Sequence, residues 1–118
     1  MKPEIRQHPG MQEMSEAAAH FIVEHARARV RERAMFTLVI SGGKTPILLY
    51  ETLAQERFIA ALPWRQTHVF WADERCVPSD HSHSNFAMAF TTLLSRVPLP
   101  PENVHRIPGE MGSPEAGV

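Results

Sequence analysis

The chain has one cysteine, Cys76, in 118 residues. That excludes an internal disulfide framework and any zinc site built from several thiolates, and it makes a reducing cytoplasmic compartment the default expectation. Charge of one sign is equally scarce. Twelve Lys and Arg stand against 13 Asp and Glu, for a formal net charge of -1. Proteins built to grip nucleic acid or an anionic membrane favour a basic surplus, so neither partner is expected. No apolar run exceeds a handful of residues, which leaves no candidate membrane span. Met1-Lys2-Pro3-Glu4 opens without the apolar stretch of a signal peptide. Internal repeats and low-complexity segments are absent too. What remains is a globular composition, 43% hydrophobic and 21% charged, in a length that suits one domain and not two.

Periodicity then divides the chain. Met14, Ala18, Phe21, Ile22, Ala26 and Val30 recur at steps of three and four, predicting a helix from Met11 to Arg33 with that apolar stripe inward. Arg27, Arg29, Arg31 and Arg33 crowd its last turns. They could form a basic patch, but cations also suit the negative end of a helix dipole, which is the reading taken here. Phe36-Thr37-Leu38-Val39-Ile40 is nearly all apolar and β-branched, as for a parallel strand buried on both faces. It runs into Ser41-Gly42-Gly43-Lys44-Thr45-Pro46, with Thr45 as expected helix cap and Pro46 as first helical residue. A helix through Ile47, Leu48, Tyr50, Leu53 and Ala54 should fade near Arg57. A second strand is expected at Thr67–Ala72, completing a βαβ unit over 36–72. A polar loop from Asp73 to His83 then leads to a helix starting near Ser84, within 73–95. Val104–Ile107 is a candidate third strand, and 108–118 reads as an irregular tail.

Two polar loops, Ser41–Thr45 and Asp73–His83, follow predicted parallel strands. Ligands of open α/β sheets bind beyond such strand ends. In the first loop two glycines let backbone N–H groups approach an anion, while Ser41, Lys44 and Thr45 add donors. A phosphate is the natural guest, although a tight turn alone could also require the glycines. Gly43-Lys44-Thr45 copies the end of a nucleotide P-loop, yet that pattern needs glycine at position 38, where the chain has Leu38. In the second loop Arg75 could hold a phosphate through paired donors, or could simply pair with Asp73 or Glu74. Cys76 beside it could be an activated thiolate; a small residue packed under the loop is the plainer expectation. Asp80, His81 and His83 offer three metal ligands without an evident fourth, so a solvated loop is expected. His8, His20, His25, His68 and His105 are scattered and none has a neighbour that suggests catalysis.

Taken together, Ser41-Gly42-Gly43-Lys44-Thr45-Pro46, Phe70-Trp71-Ala72-Asp73-Glu74-Arg75-Cys76-Val77-Pro78, Ser84-Asn85, and Pro101-Glu102-Asn103-Val104-His105 with Ile107-Pro108-Gly109-Glu110 resemble the 6-phosphogluconolactonase family. The resemblance implies hydrolysis of 6-phospho-D-glucono-1,5-lactone to 6-phosphogluconate in the pentose phosphate pathway, with no organic cofactor and no catalytic metal. It implies that Gly42, Gly43, Lys44 and Thr45, with Ser41, lie at the sugar-phosphate site and that Arg75 reaches the substrate. Asp73 would border the reacting ring and is the candidate catalytic residue. The family's general base is a histidine in a Gly/Asp/Gly/His-type motif in the second half of a longer chain. None of the seven histidines here stands in such a motif.

An amino-sugar-phosphate isomerase or deaminase of the same superfamily is the alternative. Those relatives tend to carry tyrosine after Asp-Glu, where this chain has Arg75. A third reading is a non-catalytic phosphosugar-binding half that works with a partner chain. The expected fold is α/β, the first half of a doubly wound, mostly parallel, Rossmann-like sheet with flanking helices, as a single partial domain over 1–118. Its tail, Gly112–Val118, ends where the family would begin another helix. Such a half-sheet should leave apolar faces open, so self-association or a complementing second chain is expected.

Overall fold

The computed structural model describes residues 10–111. Helix α1 (Met11–Arg33) precedes strand β1 (Phe36–Ile40), helices α2 (Ile47–Leu53) and α3 (Glu56–Ala61), strand β2 (Thr67–Trp71), helix α4 (Asn85–Thr92) and strand β3 (Val104–His105). The strands form one parallel sheet in the order β1-β2-β3. In register, Phe36 lies beside Thr67, Ile40 beside Trp71, Val69 beside Val104, and Phe70 beside His105.

The α/β class, the parallel pairing and the bounds of α1 and β1 agree with the sequence reading. Crossovers of one hand in this strand order put their helices on a single face. Burial follows that rule. Phe36, Ile40, Thr67, Val69 and Trp71 are buried together with Tyr50, Leu53, Phe58, Leu62, Ala89 and Leu93. The alternate face, carrying Thr37, Val39, His68, Phe70 and His105, has no such cover; Val39 keeps 59% of its surface and Phe70 38%. Strand β1 is therefore buried on one face, not two.

The expected stripe on α1 is also displaced. Ser15, Ala19, Val23 and Ala26 are buried, whereas Met14 and Phe21 are about half exposed. Small side chains let α1 approach the neighbouring helix closely, and the bulky residues fall to the edge of the contact. Phe21 there stacks on His25. The helix ends at Ala34, whose φ of 63° is left-handed and whose N–H donates to the Val30 carbonyl at 2.8 Å.

Three further boundaries differ. Thr45 and Pro46 lie in a turn, closed by Ile47 N–H donating to the Lys44 carbonyl, and Pro46 occupies the cap position expected of Thr45. The Ile47 N–H reaches only three residues back, and the first bond of helical spacing runs from the Tyr50 N–H to the Pro46 carbonyl at 3.0 Å, so the helix begins one residue late. The helix expected to fade near Arg57 divides at Ala54–Gln55 into α2 and α3. Ala72 lies outside β2, and β3 has only two residues. In the expected irregular tail, Gly109–Met111 form a 3-10 turn; 112–118 lie outside the described residues, as does His8.

The short third strand is held by a side chain. Asn103, 6% exposed, donates its amide to the carbonyls of Arg65 at 3.0 Å and Thr67 at 2.9 Å. It thereby joins the entry to β3 to the entry to β2. Asn103→Ala leaves two carbonyls without this donor and should destabilise the fold by about 1–3 kcal/mol. Denaturant titration measures it, and an unchanged midpoint contradicts this role.

Candidate functional site

The site is built at the carboxyl ends of β1 and β2 by one carboxylate. Glu74 Oε1 accepts from the backbone N–H of Arg75 and of Asn85, both at 2.7 Å. Its Oε2 accepts from the Phe86 N–H and the Ser84 hydroxyl, both at 3.0 Å. Ser84 Oγ in turn accepts from Ala87 N–H at 3.1 Å, the capping bond expected of a serine before α4. The first N–H groups of α4 are thus all bonded within the protein. Burial raises the Glu74 carboxyl, but the N–H groups of Phe86, Asn85 and Arg75 and the Ser84 hydroxyl outweigh it and leave its pKa below the ordinary 4.5.

This clamp fixes the turn Asp73–Arg75 against the start of α4. Asn85, buried at that start, donates its amide to the Asp73 carbonyl at 3.2 Å and lies 3.4 Å from Asp73 Oδ1. Asn85 also meets the first loop. A Cβ on residue 42 would collide with its amide group, so only glycine fits there. Gly43 adopts φ 92°, a left-handed turn that favours glycine. On the other side of the loop, Tyr50 donates its hydroxyl to the Ser41 carbonyl at 2.8 Å and accepts from the Ser41 N–H at 3.2 Å. Burial raises the Tyr50 phenol, against the lowering effect of Ser41.

Between the loops lies a cavity of about 240 Å³ lined by Ser41, Gly42, Gly43, Asp73, Arg75 and Asn85. Five of the residues singled out from sequence therefore meet in one place. Lys44 and Thr45 are exposed on the same loop and do not line the cavity. Arg75 makes no ion pair among the described residues; the second loop is tied by Glu74 instead. Cys76 is exposed and not packed under the loop, because the turn's inward position is occupied by the Glu74 carboxylate. His81 spends its Nδ1 on the His83 N–H at 3.0 Å, and among the described residues no group of three metal-binding side chains occurs.

Glu74 and Asn85 stood in the motifs but were not named as site residues. Their signal was the serine cap at Ser84, eleven residues after Asp73, with no acid in the first turn of α4 to serve it. An acid from elsewhere in the chain fills that place. The neighbouring Arg106 pairs with Glu110, Nη1 to Oε1 at 2.8 Å, which holds the Glu110 carboxyl down at about 2. Its guanidinium also lies 5.8 Å from the Phe86 ring centroid.

The family model described as glucosamine-6-phosphate isomerases/6-phosphogluconolactonase matches residues 9–118. A 6-phosphogluconolactonase of Nostoc sp. is 38% identical over 108 residues, which are 92% of this chain and 43% of the relative. One of Synechocystis sp. is 38% identical over 115 residues, 98% of this chain and 46% of the relative. The chain thus spans less than half the length of these relatives. The solved 6-phosphogluconolactonase of Trypanosoma brucei is similar with TM-score 0.80 and 31% identity, over 98% of this chain and 43% of that one. A monomeric glucosamine-6-phosphate deaminase has TM-score 0.81 at 18% identity, a likeness of fold alone.

The Glu74 clamp carries a pH dependence whose sign is fixed. The unfolded carboxyl takes up its proton near 4.5, before the folded one does, so the stabilisation is complete above that pH and is lost as pH falls through the lower folded value. Thermal melts from pH 6 to pH 3 should show a falling midpoint. In Glu74→Gln the midpoint at pH 6 should be lower and the acid-dependent fall smaller. Parallel pH profiles for both proteins contradict the clamp.

Proposed function

The chain belongs to the glucosamine-6-phosphate isomerase/6-phosphogluconolactonase family, and from that membership we propose that it provides the phosphosugar-binding half of a 6-phosphogluconolactonase site. The substrate is 6-phospho-D-glucono-1,5-lactone and the product 6-phosphogluconate, in the pentose phosphate pathway of the cytoplasm. One observation carries the reading: Arg75 and the Gly42–Gly43 turn border one cavity with a single carboxylate residue, Asp73, beside them.

In this reading the phosphate is held by the N–H groups of the Ser41–Gly43 loop, by the Ser41 hydroxyl and by Arg75, whose planar fork suits paired phosphate oxygens. Lys44 adds positive charge from the rim. Water adds to the lactone carbonyl carbon, with Asp73 accepting its proton; the ring C–O bond then breaks and the ring oxygen takes that proton as it leaves. The product acid ionises in solution. No cofactor is needed for these steps. Identity near 38% to relatives named as lactonases, against 18% to the deaminase, supports the lactonase over the isomerase or deaminase alternative.

The test uses the purified 118-residue chain. It should bind 6-phosphogluconate saturably by calorimetry, and Arg75→Ala should weaken binding by about tenfold, the scale of a lost charge-assisted pair. Unchanged binding in Arg75→Ala overturns the phosphate assignment. Lactone hydrolysis, corrected for the spontaneous rate, should fall about 100-fold or more in Asp73→Asn. A wild-type rate at the spontaneous background overturns the hydrolase reading for this chain and leaves the binding half.

The open sheet face supports a second part of the proposal, that copies of the chain associate through it. Val39 and Phe70 form an exposed apolar row beside His105, and parallel sheets ordinarily have both faces covered. Sedimentation velocity should show association rising with concentration, and Val39→Lys should reduce it. A monomer at every concentration contradicts this part.

A further inference from the structure

Ile107-Pro108-Gly109-Glu110 follows β3 and borders no part of the Ser41–Arg75 cavity, yet it touches the backbone of Arg75. A Cβ on residue 109 would collide with the Arg75 carbonyl oxygen and lie 2.9 Å from the Val77 carbonyl oxygen. Backbone carbonyls cannot swing aside as a flexible side chain does, so only glycine lets the two segments pack this closely. Both segments are tight turns. The Val77 N–H donates to the Arg75 carbonyl at 2.8 Å, and the Gly109 N–H donates to the Ile107 carbonyl at 2.9 Å.

We propose that Gly109 is a positioning residue for Arg75, an inference that rests on the phosphosugar reading of the cavity. The Arg75 N–H is taken by Glu74 Oε1 at 2.7 Å, and the Arg75 carbonyl is backed by Gly109. Its backbone is therefore held from both sides while its side chain borders the cavity. The direction in which the guanidinium leaves the turn is set before a ligand arrives, which lowers the ordering cost of binding.

The segment that carries Gly109 is itself fastened. Arg106 and Glu110 pair through two contacts, Nη1 to Oε1 at 2.8 Å and Nη2 to Oε2, and so span the Ile107–Gly109 turn. The Arg106 guanidinium lies 5.8 Å from the ring centroid of Phe86, whose N–H donates to Glu74 Oε2. The strap after β3 and the Glu74 clamp thus meet at the start of α4. A methyl group on residue 109 would have to push the Arg75 turn back by about 1 Å to reach ordinary contact. A shift of that size re-aims the charge-assisted bonds of Arg75, whose strength depends on their direction.

The experiment measures 6-phosphogluconate affinity by calorimetry on the purified 118-residue chain, for wild type, Gly109→Ala, Arg75→Ala and the double variant Gly109→Ala/Arg75→Ala. Gly109→Ala should weaken binding about three- to tenfold, no more than the loss of Arg75 itself, and should add nothing in the Arg75→Ala background. A merely structural role would cost the same in both backgrounds. Without ligand, the amide spectrum of Gly109→Ala should show displaced Arg75, Cys76 and Val77 signals with those of α1 and β1 unmoved. Glu110→Gln adds no atom against the turn and decides the matter if Gly109→Ala does not fold. It should weaken binding about two- to fivefold, again only where Arg75 is present. Unchanged affinity in the folded Gly109→Ala chain, or a loss that persists in the Arg75→Ala background, overturns the positioning role alone. A wild-type chain that does not bind 6-phosphogluconate overturns the phosphosugar reading and takes the role with it.

Discussion

Everything at the candidate site depends on where the Glu74 carboxylate finds its donors. Four groups from two parts of the chain converge on its two oxygens: the N–H groups of Arg75, Asn85 and Phe86 and the Ser84 hydroxyl. A helix start leaves several N–H groups without partners, and a carboxylate there also meets the positive end of the helix dipole. Glu74 satisfies both demands from a residue that is not in the helix. The turn it belongs to is consequently fixed, and with it the directions in which Asp73 and Arg75 leave the backbone. Asn85, placed by the same start of α4, reaches under Gly42 and brings the first loop into the arrangement. The cavity is a by-product of capping one short helix.

The second constraint is the one-sided sheet. Packing of α1, α2, α3 and α4 on a single face produces a core in which Val69, Ala19, Ala26, Ala89 and Leu93 lose all their exposure. The opposite face keeps Val39, Phe70 and the two histidines accessible. This asymmetry explains why β1 reads as a two-sided strand yet is buried on one side, and it suits a chain that spans 43% and 46% of its relatives. Among the buried side-chain polar atoms of the described residues one has no partner, the Trp71 indole N–H at the end of β2. Such a group costs about 1–3 kcal/mol when it has no acceptor.

How far the sequence could be read follows from which forces act locally. β-Branched runs marked β1 and β2, the change from a polar loop to apolar spacing near Ser84 marked the start of α4, and the order of elements marked a parallel sheet. These signals arise within a few residues. The face of α1 could not be read the same way, because Ala19 and Ala26 are chosen by how closely α2 approaches, and periodicity weighs Met14 and Phe21 more heavily. The break between α2 and α3 and the brevity of β3 are likewise set by packing. At the site, the glycine loop and Arg75 were legible as chemistry. Glu74 and Asn85 were not, since their importance lies in partners eleven and forty-odd residues away in sequence. His68 and His105, 37 residues apart, meet only through sheet register.

The central proposal is that the turn held by Glu74 joins the two loops into one phosphosugar site. Backbone amide shifts of the 118-residue chain, followed by NMR during titration with 6-phosphogluconate, test it most directly. The account predicts that amides of Ser41–Thr45 and of Arg75 and Asn85 shift together along one saturation curve. Shifts confined to one loop, or centred on residues away from both, would contradict it.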